Sequence, residues 1–270
     1  MPARPLGSLR AAANSAASST RSSVMSQIVG NLLRWRGLMP LLIAARMTTD
    51  SPEDARSRLA AIHDAMDRAA RLTGRKGADI DLVAISKTKD ADAIRPLITA
   101  GQRIFGENRV QEAQAKWPAL RAETPGIVLH LVGQLQSNKA TDAVALFDVI
   151  HSLDRPSLLT ALARAMDAAG KRVPCYIQVN IGAEAQKGGC AIADTSALIA
   201  SARAADIPLL GLMCVPPADT EPGPYFALLA KMAREEGLPR LSMGMSGDYE
   251  TAVMLGATHV RVGSALFGAR

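Results

Sequence analysis

Asp81-Leu82-Val83-Ala84-Ile85-Ser86-Lys87 is an apolar run of strand length that ends on a lysine, and seven further runs of the same kind follow it, at 103–105, 127–132, 148–153, 174–181, 209–215, 241–244 and 259–262. Each of the first seven leads into a segment with helical spacing. In 156–169, for example, Leu158, Leu159, Leu162 and Met166 share one face. Strands alternating with helices predict an α/β chain folded as a single (β/α)8 TIM barrel. A doubly wound open sheet fits less well, because eight units fall within roughly 190 residues and no G-x-G-x-x-G follows the first strand. Ahead of the first strand, Thr49-Asp50-Ser51-Pro52-Glu53 reads as a capped helix start. Leu59, Ile62, Ala65, Met66 and Ala69 then continue an apolar face towards Gly74, so the barrel is expected to carry an added N-terminal helix.

The formal charge of +6 suggests a polyanionic partner until its position is considered. Residues 1–46 hold Arg4, Arg10, Arg21, Arg34, Arg36 and Arg46, with no lysine and no acid. Setting those six aside leaves 25 basic residues against 25 acidic ones, so the body is formally neutral and nucleic acid is not an expected partner. The leading segment is rich in Ala, Ser and Arg, the composition of a transit peptide or of sequence lying upstream of a start at Met47. We therefore divide the chain into an unstructured extension, 1–46, and a barrel domain, 47–270. The apolar run 38–45 is too short to span a bilayer and contains Pro40, which argues against a membrane anchor. Three scattered cysteines, Cys175, Cys190 and Cys214, fit a reducing compartment: the cytoplasm, or mitochondria if the extension is a true transit peptide. His63, His130, His151 and His259 show no metal-ligand spacing and read as core or rim residues.

Barrel chemistry sits at the C-terminal ends of strands, and the notable polar residues fall there. Lys87 follows strand one, Glu107 and Asn108 follow strand two, and Gly133 and Gln134 follow strand three. Ser152 ends strand four, Asn180 lies near the end of strand five, and Cys214 ends strand six. Lys87 has the parity of Val83 and Ile85, which points its amine into a low-dielectric mouth where an uncharged, aldehyde-reactive form is favoured. An isolated strand-end lysine is ordinarily a surface charge, and Lys89, beside Asp90 and Asp92, reads as that kind of solvated, paired cation. Strands seven and eight lead into Ser242-Met-Gly-Met-Ser246-Gly247-Asp248 and Arg261-Val-Gly263-Ser264. Glycine turns carrying hydroxyls after the last two strands mark the recurrent phosphate site of this fold, with a helix after Asp248 adding its positive end. Arg261 shares the parity of Gly263 and points inward, while Val260 and Val262 face the helices. The guanidinium is then either a structural partner of Glu107 or a donor to a pyridine nitrogen. Lysine, phosphate cradle and arginine together point to pyridoxal 5'-phosphate (PLP).

Several exact motifs in register carry a resemblance. They are Val83-Ala-Ile-Ser-Lys-Thr-Lys89, Phe105-Gly-Glu-Asn-Arg-Val-Gln-Glu112, His130-Leu-Val-Gly-Gln-Leu-Gln-Ser-Asn-Lys139, Gly211-Leu-Met-Cys214, Leu241-Ser-Met-Gly-Met-Ser-Gly-Asp248 and Arg261-Val-Gly-Ser-Ala-Leu-Phe-Gly268. From about Ser51 to Arg270 the chain resembles the YggS/PROSC family of PLP homeostasis proteins, whose barrel is related to the N-terminal domain of alanine racemase. The resemblance implies an internal aldimine at Lys87 and phosphate contacts at Ser246, Gly263 and Ser264. With Asn108, Gly247 and Arg261, these are the candidate cofactor-binding residues. It also implies a role in buffering PLP or delivering it to apo-enzymes, with no established turnover; a monomer is expected. Asp90 stands where the family usually has proline, and Gln186-Lys187-Gly-Gly189 departs from the usual lysine-serine-glycine loop, which weakens Lys187 as a second aldehyde acceptor. The enzymatic alternative, an amino-acid racemase, needs a second base, for which only Tyr176, Tyr225 and Tyr249 are available as tyrosines. Deleting residues 1–46 is expected to leave folding and cofactor binding intact, since no strand lies there. Thermal melts and cofactor titration of the full and shortened chains check this, and a large loss of either property would show that the extension packs on the barrel.

Overall fold

A computed structural model of the chain describes residues 51–268, and the expected extension over 1–46 lies outside them. Ser51 Oγ accepts the Asp54 N–H at 3.0 Å, and Pro52 occupies the first turn, where its missing N–H costs nothing. Helix α1 therefore runs Pro52–Arg71 and buries the expected stripe, Leu59, Ile62, Ala65, Met66 and Ala69. Strands and helices then alternate. β1 is Asp81–Ile85 and α2 Ala91–Thr99, β2 Ile104–Glu107 and α3 Val110–Glu123, β3 Val128–Leu131 and α4 Ala140–Leu146. β4 is Val149–Leu153 and α5 Pro156–Ala169, β5 Cys175–Val179 and α6 Thr195–Ala204, β6 Leu209–Cys214 and α7 Gly223–Glu235. β7 is Arg240–Ser242, α8 Tyr249–Met254, β8 His259–Val262 and α9 Ser264–Phe267.

The eight strands close into a parallel barrel in sequence order, with β8 paired to β1. All eight expected strands are present, with ends that differ from expectation by at most two residues and the last strand matching at both ends. β2 continues past the expected stop at Phe105 because Gly106 has no side chain where Ile85 Cδ1 packs; a Cβ there would lie 2.6 Å from it. β7 ends earlier than expected because Gly244, at φ +91, turns the chain in the left-handed region. The helix after β8 is only four residues long, and α1 packs against α2 and α8 to complete the outer ring. Among the described residues, no helix is long and apolar enough to cross a membrane, and no cluster of His, Cys, Asp and Glu could hold a metal ion. Cys175, Cys190 and Cys214 are free and buried.

Strand alternation sorts the side chains into two populations. Leu82, Ala84, Val260 and Val262 face outward into the large core formed with the helices. The barrel interior is different, because its apolar contribution is the small cluster of Val149, Tyr176 and Met213, and buried polar groups occupy much of the rest. Arg261 Nη1 donates to Ser242 Oγ at 2.7 Å, Ser242 Oγ lies 2.9 Å from His151 Nδ1, and His151 Nε2 lies 2.9 Å from His130 Nδ1. Arginine can only donate, so the Ser242 hydroxyl donates to His151 Nδ1 and the His151 Nε2–H donates to His130 Nδ1. Tyr176 Oη and His259 Nδ1 are 3.0 Å apart, and His259 Nε2 is 3.1 Å from Asp81 Oδ2.

Three of the four histidines thus line the barrel interior, and each is held neutral. Burial, with the charge of His259 second, depresses His130 to about 3. Burial, with Arg240 and Arg261 next, depresses His259 to about 3. His151 lies well below its usual value, first through burial and then through His130, His259 and Arg261. A histidine whose folded value is depressed from 6.5 binds its proton in the unfolded chain first, so the stability it contributes is present above pH 6.5 and is lost as pH falls towards 3. Each such group weakens the fold by about 1.4 kcal/mol per pH unit through that window. The melting temperature is expected to fall steeply between pH 6.5 and pH 4, with His130→Asn, which can still accept from His151, flattening the slope. Thermal melts across that range provide the check.

Candidate functional site

A cavity of about 490 Å³ lies beside α1 and the start of β1, where it is lined by Asp64, Asp67 and Asp81, while a larger one of about 670 Å³ opens at the C-terminal ends of the strands. The larger cavity brings together all seven candidate residues, Lys87, Asn108, Ser246, Gly247, Arg261, Gly263 and Ser264. Lys89, Thr88, Met245 and Phe267 also line it, whereas among the described residues no aspartate or glutamate does. The charged groups among its described lining residues are therefore all cationic: Lys87, Lys89 and Arg261.

Lys87 stands two residues past the end of β1 and is exposed, not sunk in a low-dielectric mouth as its parity suggested. The reason is local. The strand stops at Ile85, and residues 86–89 form a turn closed by the Lys89 N–H donating to Ser86 O at 3.1 Å, with Thr88 in the left-handed region at φ +62. The same turn swings Lys89 into the cavity, where its ammonium donates to Phe267 O at 3.5 Å and lies 5.8 Å from the Phe267 ring centroid. Lys89 is thus not the solvated partner of Asp90 and Asp92. Asp90 accepts the Ala93 N–H and caps α2, while Asp92 pairs with Arg95. The parity that Lys89 shares with Lys87 was the signal that could have revealed this cavity lysine.

Arg261 is 5 % exposed, and its partners are neutral: Ser242 Oγ and, at 2.8 Å, the Cys214 carbonyl. The alternative pairing with Glu107 does not occur, because Glu107 points outward to α3 and sits 2.9 Å from Lys116 Nζ. Burial draws Arg261 below its usual value, yet the guanidinium remains a donor at neutral pH. The adjacent Cys214 thiol is pushed up to about 12 by burial and stays protonated.

The two hydroxyl turns meet across the rim, where the Gly263 N–H donates to Ser246 Oγ at 3.2 Å. Asp248 Oδ1 accepts the Met245 N–H at 2.5 Å and tightens the turn that presents Ser246 and Gly247, and the expected helix after Asp248 is α8. Hydroxyls and backbone N–H groups beside three cations suit an anionic, aldehyde-bearing ligand, so the residues present fit PLP. Other strand-end polar groups serve the frame. Asn180 exchanges hydrogen bonds with the Glu184 backbone, Gln134 donates to Asp154, and Ser152 is buried away from the cavity. Lys187 is held by Glu184 Oε2 at 2.6 Å and Pro216 O at 2.9 Å and does not line the cavity. The strand histidines and Ser242, which fix Arg261 from below, were missed as a group, although their shared inward parity was the available signal.

Residues 58–270 match the model of the alanine racemase N-terminal domain. The chain is similar to the pyridoxal phosphate homeostasis protein of Pseudomonas aeruginosa, 40% identical over 208 residues that cover 75% of this chain and 90% of the relative. It is likewise similar to the protein of that name from Escherichia coli K12, 38% identical over 229 residues, or 80% of this chain and 97% of the relative. Among solved structures, PipY of Synechococcus elongatus with PLP bound superposes with a TM-score of 0.67 at 39% identity, covering 76% of this chain and all of that one. Alanine racemase of Corynebacterium glutamicum, at 19% identity and a TM-score of 0.54, shares the fold. This chain belongs to the family of pyridoxal phosphate homeostasis proteins, built on the alanine racemase N-terminal barrel.

Proposed function

We propose that this protein binds PLP covalently through Lys87 and serves as its intracellular buffer or delivery protein, without catalytic turnover of its own. The observation that carries the reading is the strand-end cavity, where a primary amine, a buried guanidinium and two hydroxyl-bearing turns converge with no carboxylate among the described lining residues. PLP supplies an aldehyde that condenses with a primary amine and releases water. Ser246 and Ser264, with the N–H groups of Gly247 and Gly263, would hold the phosphate, and the Asn108 amide lines the opposite wall. Arg261, a donor only, would face the ring nitrogen and keep it unprotonated, which weakens the ring as an electron sink. An exposed Lys87 on an open rim suits a ligand that must leave as well as enter. The barrel domain over 47–270 would suffice for this role.

The racemase alternative requires a proton-transfer group on each face of the bound amino acid. None of the three tyrosines lines the cavity: Tyr176 is buried against His259, while Tyr225 and Tyr249 pack on the outer core. That arrangement favours a carrier. PLP-dependent apo-enzymes are the recipients the reading calls for, and the chain would act as a monomer.

Borohydride reduction of the PLP-loaded protein is expected to fix a pyridoxyl group on Lys87, as read by peptide mapping, and Lys87→Ala should abolish the label. A label mainly on Lys89 or Lys187 would overturn the assignment. Ser246→Ala should weaken PLP binding about tenfold, the loss of one charge-assisted hydrogen bond, as measured by absorbance titration.

The loaded protein is further expected to restore activity to a PLP-dependent apo-enzyme while leaving the chirality of alanine and serine unchanged in excess PLP. Chiral chromatography decides the second point. Sustained racemization that vanishes in Lys87→Ala would replace the carrier reading with the racemase.

A further inference from the structure

The turn that carries Lys87 is held from outside the barrel by a buried charge cluster on α3. Lys116, on that helix, is 8 % exposed, and all three of its ammonium protons are used. They go to Ser86 O at 2.9 Å, Lys89 O at 2.7 Å and Glu112 Oε1 at 3.0 Å. Two of these acceptors are the first and last carbonyls of the Ser86–Lys89 turn. Glu112 also accepts the Thr88 N–H. One lysine and one glutamate from α3 therefore grip three of the turn's backbone groups.

Behind the turn, Glu107 fixes the cluster in place. Its Oε1 accepts the Ser86 hydroxyl at 2.6 Å and the Trp117 indole N–H at 3.0 Å, and lies 2.9 Å from Lys116 Nζ. Its Oε2 is buried with no hydrogen-bond partner. A buried ion pair of this kind is a poor source of stability, since well-packed apolar residues commonly do as well. What it supplies here is geometry. Thr88 holds φ +62 at the third position of a tight turn, a site that favours glycine or asparagine and strains a β-branched residue. Such a conformation persists when its surroundings over-determine it.

Resting on the assignment of Lys87 as the PLP-binding amine, we infer that Lys116 is a positioning residue: together with Glu112 it clamps the strained Ser86–Lys89 turn and so fixes where the Lys87 amine meets the aldehyde. The strain makes the clamp testable, because glycine at position 88 needs no force to adopt the turn.

The test compares the parent protein, Lys116→Met combined with Glu107→Gln, Glu112→Ala, and the first pair with Thr88→Gly added. The paired substitution removes both buried charges together, so neither is left uncompensated. Glu112→Ala acts at a partly exposed carboxylate and keeps the clamp testable if the paired variant fails to fold. Four quantities are read: melting temperature, PLP affinity, the fraction of pyridoxyl label on Lys87, and the rate at which an amine reagent, trinitrobenzenesulfonate, modifies Lys87 in the PLP-free protein. The paired variant should bind PLP about tenfold more weakly and change the Lys87 modification rate while its melting temperature moves little. Glu112→Ala should weaken binding in the same sense, and Thr88→Gly should recover much of the loss. Affinity and Lys87 labelling within twofold of the parent, in the paired variant or in Glu112→Ala, would overturn the proposal. So would a loss that tracks melting temperature and that Thr88→Gly leaves untouched. A parent label on Lys89 would instead sink the Lys87 assignment, and the clamp would then stand or fall on the trinitrobenzenesulfonate rate alone.

Discussion

The pairing of β8 with β1 is the contact on which the rest of the structure depends. Asp81 aligns with His259, Leu82 with Val260, Val83 with Arg261 and Ala84 with Val262. These partners are separated by nearly the whole domain, so the pairing closes a long loop whose entropic cost must be offset by the packing it completes. Closure removes both sheet edges and seats the outward valines of β8 beside Leu82 and Ala84 in one core. It also sets the first and last strand ends side by side, which is why Lys87 and the Gly263-Ser264 turn share a cavity.

The same pairing commits Arg261 to the interior, and the interior adapts to it. Among the described residues no carboxylate lies within ion-pair distance of this guanidinium; a hydroxyl and a carbonyl take its protons. A buried cation satisfied by neutral acceptors leaves little tolerance for a second charge nearby. His151, closest through Ser242, is accordingly held neutral by burial, by its histidine neighbours and by Arg261 itself. The hydrogen-bond polarity of the barrel interior thus runs from a donor that keeps its proton at neutral pH towards His130. A rigid, proton-holding donor at the floor of the cavity suits binding of a heteroaromatic ring better than chemistry that needs the ring to gain a proton.

The rim is organised on a different principle. Its candidate groups lie past the strand ends: Lys87 and Lys89 on the turn after β1, Ser246 and Gly247 after β7, and Gly263 with Ser264, the first residue of α9, after β8. Turn residues need outside support to hold position. The Met245–Asp248 turn is braced by its own aspartate, and the Ser86–Lys89 turn by Lys116 and Glu112 of the helix one unit further along the barrel. Alanine racemase of Corynebacterium glutamicum shares this barrel at 19% identity, a likeness of fold alone.

How much was legible from sequence follows from which forces are local. The eight apolar runs, their helical partners and the Ser51-Pro52 cap act over a few residues, so the order and number of βα units could be read directly, as could the seven residues that gather at one cavity. Period-two alternation likewise placed Arg261 inward and Val260 and Val262 outward. Alternation failed where the strand ended. Lys87 lies beyond Ile85, in a turn set by Thr88, so its exposure and the inward swing of Lys89 were decided by tertiary contacts. The alternative that paired Glu107 with Arg261 was settled in the same way, because its choice of Lys116 depends on which side of the barrel wall each occupies. The sequence by itself determined the barrel and the chemical inventory of its mouth, because strand and helix periodicities and glycine turns are written in neighbouring residues. Only the tertiary structure decided which charges meet, because burial, proton direction along Arg261, Ser242, His151 and His130, and the brace on the Lys87 turn arise from side chains brought together by ring closure.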